Sequence, residues 1–117
     1  MAIVKRMEEV PGVDLSDGAE VVNVVKQVLL GPTDGAPTFA VRLFTLGPGG
    51  HTFHHRHPFE HGVIVLEGEG ELSCPGGPRP LKAGSVVLVP PDELHQFRNT
   101  GQSAFKFLCI VPAHVEQ

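Results

Sequence analysis

His51-Thr52-Phe53-His54-His55-Arg56-His57-Pro58-Phe59-Glu60-His61-Gly62 is the stretch on which the reading of this chain turns. These twelve residues hold five of the chain's seven histidines. Neutral imidazole is the commonest protein metal ligand, so a cluster this dense is a candidate metal site. In an extended strand, alternate residues face the same side. His55 and His57 then point together and Arg56 points away. Pro58 cannot donate to a sheet ladder and bends or ends the strand. His61 lies an even number of residues beyond His57 and can rejoin the same face as the strand resumes through Gly62-Val63-Ile64-Val65-Leu66. Three imidazoles converge by parity alone.

Working outward, Gly 14 and Pro 11 in 117 residues break the chain too often for a long helix. The apolar runs are short and rich in Val, Phe and Leu, which reads as all-β. A chain of this length suits one domain, residues 1–117, with a real core. The net charge of -4 argues against a nucleic-acid-binding surface. Two cysteines, Cys74 and Cys109, are too few for a secreted disulfide framework. The N-terminus lacks the apolar core of a signal peptide, and Lys26 and Gln27 interrupt the longest apolar run. A soluble cytoplasmic protein with no membrane partner is expected.

Taken in order, Val4 to Met7 reads as a short edge strand, with turns at Pro11-Gly12 and Asp17-Gly18. Glu20 to Leu30 is nearly continuous β-branched sequence. Val21, Val24, Val25 and Val28 also fit a helical stripe, but β-branching favours a strand. Such a run suits a strand covered on both faces. One barrel face cannot bury it all, so region 1–37 is expected at a homodimer interface. Thr38 to Leu46 is a strand whose two faces, Phe39/Val41/Leu43 and Arg42/Phe44/Leu46, leave the inward side undecided. Gly47-Pro48-Gly49-Gly50 reads as a turn. Ser85 to Val89 reads as a short buried strand, Leu94 to Asn99 as another, and Ala104 to Val111 as the last. Eight or more short strands at regular spacing suggest a sandwich or barrel.

Two motifs carry a family resemblance. Gly49 is followed by five residues, His55-x-His57, three residues, His61, six residues and Gly68. Gly84 is followed by five residues, Pro90-x-Asp92, two residues, His95, three residues and Asn99. The chain resembles the cupins, and within them small single-domain bacterial cupins with a four-histidine site. His61 stands where the first motif usually has Glu, across residues 49–68. Asp92 replaces a turn Gly in the second, across residues 84–99, and Asp tolerates turn conformations. The resemblance implies a jelly-roll β-barrel. It puts the metal ligands on His55, His57, His61 and His95, and it points to dimers formed by sheet packing.

Glu60 is the rival to His61 as third ligand. It has the wrong parity relative to His57 and breaks the six-residue spacing to Gly68, so it is assigned to the rim or behind the ligands. His51, His54 and His114 read as surface or satisfied histidines. Four neutral imidazoles leave the charge of one divalent ion per chain uncompensated and favour iron, cobalt, nickel, copper or zinc, with manganese also open. With Lys106 facing solvent, Phe107, Cys109 and Val111 should form an apolar pocket wall. No acid or base besides the ligands is placed inward.

Three functions follow. The first is a metal-dependent dioxygenase or oxidase acting on a small apolar substrate, favoured by an open metal in an uncharged pocket. The second is an isomerase or cyclase using the metal as Lewis acid. The third is a non-catalytic module binding a metal or small ligand.

Overall fold

The computed structural model describes residues 1–116. Nine strands form among them: β1 Val13–Asp14, β2 Val22–Leu30, β3 Phe39–His51, β4 His61–Glu67, β5 Glu69–Ser73, β6 Arg79–Lys82, β7 Val86–Val89, β8 Gln96–Asn99 and β9 Phe105–Pro112. All pair antiparallel, in the order β6-β5-β8-β3-β9-β4-β7, with β2 also on β3 and β1 on β2. The sheet curls into the all-β jelly roll that the family resemblance implied.

Strand β9 shows how the pattern makes the core. Phe105, Phe107, Cys109 and Val111 are buried, and the residues between them are half-buried. This is the period of two expected for a strand with one face inward. Phe97 and Phe107 meet with ring centroids 4.7 Å apart, and Val63, Val65 and Val89 close around them. Each such side chain contributes about 1.5–3 kcal/mol when fully buried. On β3 the inward face is Ala40, Arg42, Phe44 and Leu46: Ala40 and Leu46 are fully buried, while Arg42 and Phe44 line the interior cavity.

Several expectations are corrected. Val4 to Met7 is not a strand. Residues Met7–Glu9 form a 3-10 turn instead, and the Gln27 side chain donates to the carbonyls of Met7 and Val10 where ladder bonds would have been. Gly47 to Gly50 is not a turn but the far part of β3. The pairing with β2 steps from Val24↔Leu46 to Val22↔His51, so extra β3 residues are absorbed as a bulge. Gly49 (φ 74) and Asn23 (φ 55) take left-handed backbone there. The β2 run is largely covered within the chain: Val21, Val24 and Leu29 are buried, and β1 pairs alongside through Val13↔Lys26. Strand β7 is buried on one side only, with Val89 in the core. It lies at the end of the sheet, and Val86 and Leu88 are 78% and 69% exposed.

Asn99 is the structural residue of the second motif. Its side-chain amide donates to the carbonyls of Leu46 (2.9 Å) and Ser103 (2.8 Å), and its oxygen accepts from Gly101 N (2.9 Å). It thereby staples β8 to β3 and to the turn before β9. Asn99→Ala strands these buried partners and should cost about 1–3 kcal/mol. A lowered urea midpoint at unchanged slope is the expected result.

Candidate metal centre

The site forms where the chain leaves β3 and crosses the mouth of the barrel. His55 N donates to His95 O (3.1 Å) and His95 N donates to His55 O (3.0 Å). Thr52 repeats the tie one step deeper, giving its N–H to Phe97 O and accepting Phe97 N–H at Oγ1, both at 3.0 Å. Asp92 N donates to His57 O (2.7 Å) from a left-handed position (φ 64). Asp adopts that conformation more readily than most residues, so the turn survives without glycine. Strand β4 then begins at His61.

His55, His57 and His95 form one group, with a ring nitrogen of each within 4.8 Å of the others. His61 lies against it: its Nε2 is 3.1 Å from Nε2 of His95, and its ring centre is 4.9 Å from that of His57. Nδ1 of His57 faces Phe59 O (3.0 Å) and Nδ1 of His95 faces Glu93 O (2.8 Å). A carbonyl only accepts, so both Nδ1 atoms carry protons and both Nε2 atoms present the lone pair through which a ligand role would run. Nε2 of His61 must then carry the proton shared with His95. That leaves His61 Nδ1 to accept from the Cys109 thiol, 3.0 Å away. His61 would ligate through Nε2 as its other tautomer, with Nδ1–H directed at the sulfur.

His55, His61 and His95 are held neutral, as metal ligands must be. Burial, reinforced by His95 and His57, lowers His61 to about 3. Burial and the same kind of neighbours lower His55 to about 4. His95 is also lowered by burial, against the opposing pull of the Glu93 carbonyl. His61 is 4% exposed, whereas His55 lies exposed at the rim. Chemically, the donor set fits a borderline divalent ion. Glu60 is exposed and sits by a shallow depression outside the barrel. His51 bonds to Gln96, His54 is exposed, and His114 packs edge-on to Phe59.

The cavity in front of the histidines is about 220 Å³. Phe107 and Cys109 line it, whereas Val111 lies beside the outer depression. The wall is not uncharged: Lys26 and Arg42 line it too. Arg42 donates from Nη2 to Cys109 Sγ (3.1 Å) and from Nη1 to Glu116 Oε2 (2.9 Å), and its guanidinium lies over Phe44 at 5.1 Å. Lys26 Nζ reaches both Glu116 oxygens at 3.1 Å. Burial pushes the Cys109 thiol up, against the pull of Arg42. Burial also works against the Glu116 carboxylate, but Arg42 and Lys26 overcome it and hold its pKa below the ordinary range. These charged residues escaped sequence reasoning. The one available signal was Arg42, the only charge in an otherwise apolar strand.

The Cupin domain family model matches residues 42–111. This chain belongs to the cupin family. It is 35% identical over 108 residues to 1-methylthio-D-xylulose 5-phosphate methylsulfurylase of Rhodospirillum rubrum, spanning 88% of this cupin and 68% of that protein. It is 36% identical over 78 residues to protein SchB of Streptomyces halstedii, spanning 66% of this chain but only 56% of that protein. The solved structure of the polyketide cyclase RemF from Streptomyces resistomycificus superposes with a TM-score of 0.87 at 26% identity, covering 97% of this cupin and 80% of that chain.

The lowered histidines set a pH dependence. In the unfolded chain these imidazoles protonate near 6.5, and in the fold only near 4 for His55 and 3 for His61. Between those values the unfolded state binds more protons, so stability is full above about pH 6.5 and falls as the pH drops below it. Urea midpoints of chelator-treated protein should decline from pH 7.5 to 5.0, and less steeply in His61→Leu. A flat profile in the parent would contradict the neutral, buried assignment.

Proposed function

We propose that this cupin is a metalloenzyme whose four histidines, His55, His57, His61 and His95, hold one divalent transition-metal ion for Lewis-acid chemistry on a small oxygen-bearing substrate, as in an isomerisation or cyclisation. The observation that carries the reading is the pairing of the imidazoles with Lys26 and Arg42 on a wall otherwise made mostly of aromatic and aliphatic side chains. A bound divalent ion would supply polarisation of a carbonyl oxygen. The chain's own residues do the rest. The two cations favour negative charge inside a low-dielectric cavity. Phe44, Phe97 and Phe107 exclude water and hold the body of a small molecule. The similarity to a polyketide cyclase supports this direction. An oxidase or dioxygenase draws on the same aromatic wall, and a non-catalytic binding module needs only the histidines.

Elemental analysis should find close to one metal ion per chain in the parent and almost none in His57→Ala. Full metal retention in that variant would contradict the ligand set. With iron, copper, manganese or nickel loaded in turn, oxygen uptake above that of free metal would favour the oxidase over the Lewis-acid reading.

We also infer a homodimer. The support lies less in β2 than in the outer face of β4 and β7, where Ile64, Leu66, Val86 and Leu88 are all exposed. An exposed apolar patch of this kind commonly marks an interaction surface. Light scattering at micromolar concentration should give twice the chain mass, and Leu88→Lys should shift it toward the monomer. A monomeric parent would overturn the inference. Both cysteines are free thiols, in keeping with a cytoplasmic setting.

A further inference from the structure

Glu116 closes the charged side of the cavity. It sits on a 3-10 turn, Ala113–Glu116, that leaves β9 and folds back so that Val115 lines the cavity. Its side chain is 9% exposed, and those of its partners Arg42 and Lys26 are 13% and 22% exposed. Two partly buried cations thus share one carboxylate. No described residue lining the cavity is Asp or Glu, so among the described residues the cluster keeps an excess positive charge. Arg42 Nε is buried and has no hydrogen-bond partner among the described residues. Unpaired buried donors and uncompensated charge in a poorly hydrated site are costly, and an anionic ligand would relieve both.

We propose that Lys26 and Arg42 form a carboxylate-binding subsite, that Glu116 occupies it as a built-in stand-in, and that a small aromatic carboxylate displaces Glu116 on binding. The proposal deepens the reading of this cavity as the site of chemistry and rests on it for its relevance to turnover. Three observations set the ligand class. The present occupant is itself a carboxylate, which accepts from Lys26 at both oxygens and from Arg42 at one. A planar guanidinium matches a planar carboxylate. The adjoining wall is aromatic, with Phe44 stacked on Phe107 at 5.4 Å and Phe97 beyond. A phosphate fits less well, because no glycine lines the cavity to bring a cradle of backbone N–H groups to it. The volume of about 220 Å³ lies below the usual range for drug-sized ligands of roughly 300–1,000 Å³, which restricts the body to about one ring.

The test uses the full chain, stripped of metal with chelator, and benzoate as ligand. A subsite filled by Glu116 most of the time lowers apparent affinity by the fraction left open. Benzoate should therefore bind Glu116→Gln at least about tenfold more tightly than the parent. At equal ionic strength, benzoate should also raise the melting temperature of Glu116→Gln more than that of the parent, and chloride should not. Adding Arg42→Met to that variant should abolish both effects. Should Glu116→Gln fail to fold without an anion, Lys26→Met/Glu116→Gln, which buries one cation instead of two, allows the same titration. Equal benzoate affinity in parent and variant would overturn the proposal. So would a benzoate response that survives Arg42→Met. Inorganic phosphate acting more strongly than benzoate would overturn the carboxylate assignment. Because the metal is absent throughout, these results stand or fall separately from the histidine site.

Discussion

The reciprocal backbone bond between His55 and His95 is the contact on which the site depends. It joins the segment after β3 to the segment before β8, residues forty positions apart in the chain. Together with the Thr52–Phe97 and Asp92–His57 bonds it fixes the segment that carries His55 and His57 across the barrel mouth. With it, strand parity does the remaining work. His57 stays on the same side as His55, and β4 brings His61 in from the third direction. Glycine, proline and Asp92 serve this arrangement by letting the chain turn sharply on either side of it.

Around the histidines the interior is divided. One part is a hydrocarbon core of Phe97, Phe105, Phe107 and valines, which supplies the stability. The other is a polar seam running from Glu116 and Lys26 through Arg42 and Cys109 to His61. Buried ion pairs of this kind seldom stabilise a fold beyond what apolar residues would achieve. Their retention inside a small barrel is better explained by what the cavity must hold. The seam links the charged wall to the histidine group through one sulfur, that of Cys109.

Much of this was legible in the sequence because it depends on parity and spacing. His55, His57 and His61 fall on one side by counting residues, His95 follows from the spacing of the second motif, and the all-β class follows from short β-branched runs between turns. What escaped was decided by long-range contacts. Strand 38–46 has two apolar faces, so only its register against β9 reveals that Arg42 points inward beside Cys109. Gly47 to Gly50 has the composition of a turn, but β2 pairs past it and converts it to a bulge. Val86 and Leu88 look like core by composition, and are exposed because β7 ends the sheet. Glu116 lies in a stretch with no pattern, and only the fold-back of its turn brings it to Lys26 and Arg42.

The central claim is that histidines, and nothing else from the chain, would hold the metal. X-ray absorption at the metal edge, on protein loaded with one equivalent of nickel, tests it most directly. The account expects a nitrogen and oxygen shell near ~2.1 Å with the outer scattering of several imidazole rings. A sulfur scatterer near ~2.3 Å would mean that Cys109 is a ligand and that the hydrogen-bonded role given to it is wrong. A shell without imidazole scattering would mean that the converging histidines are not a metal site at all.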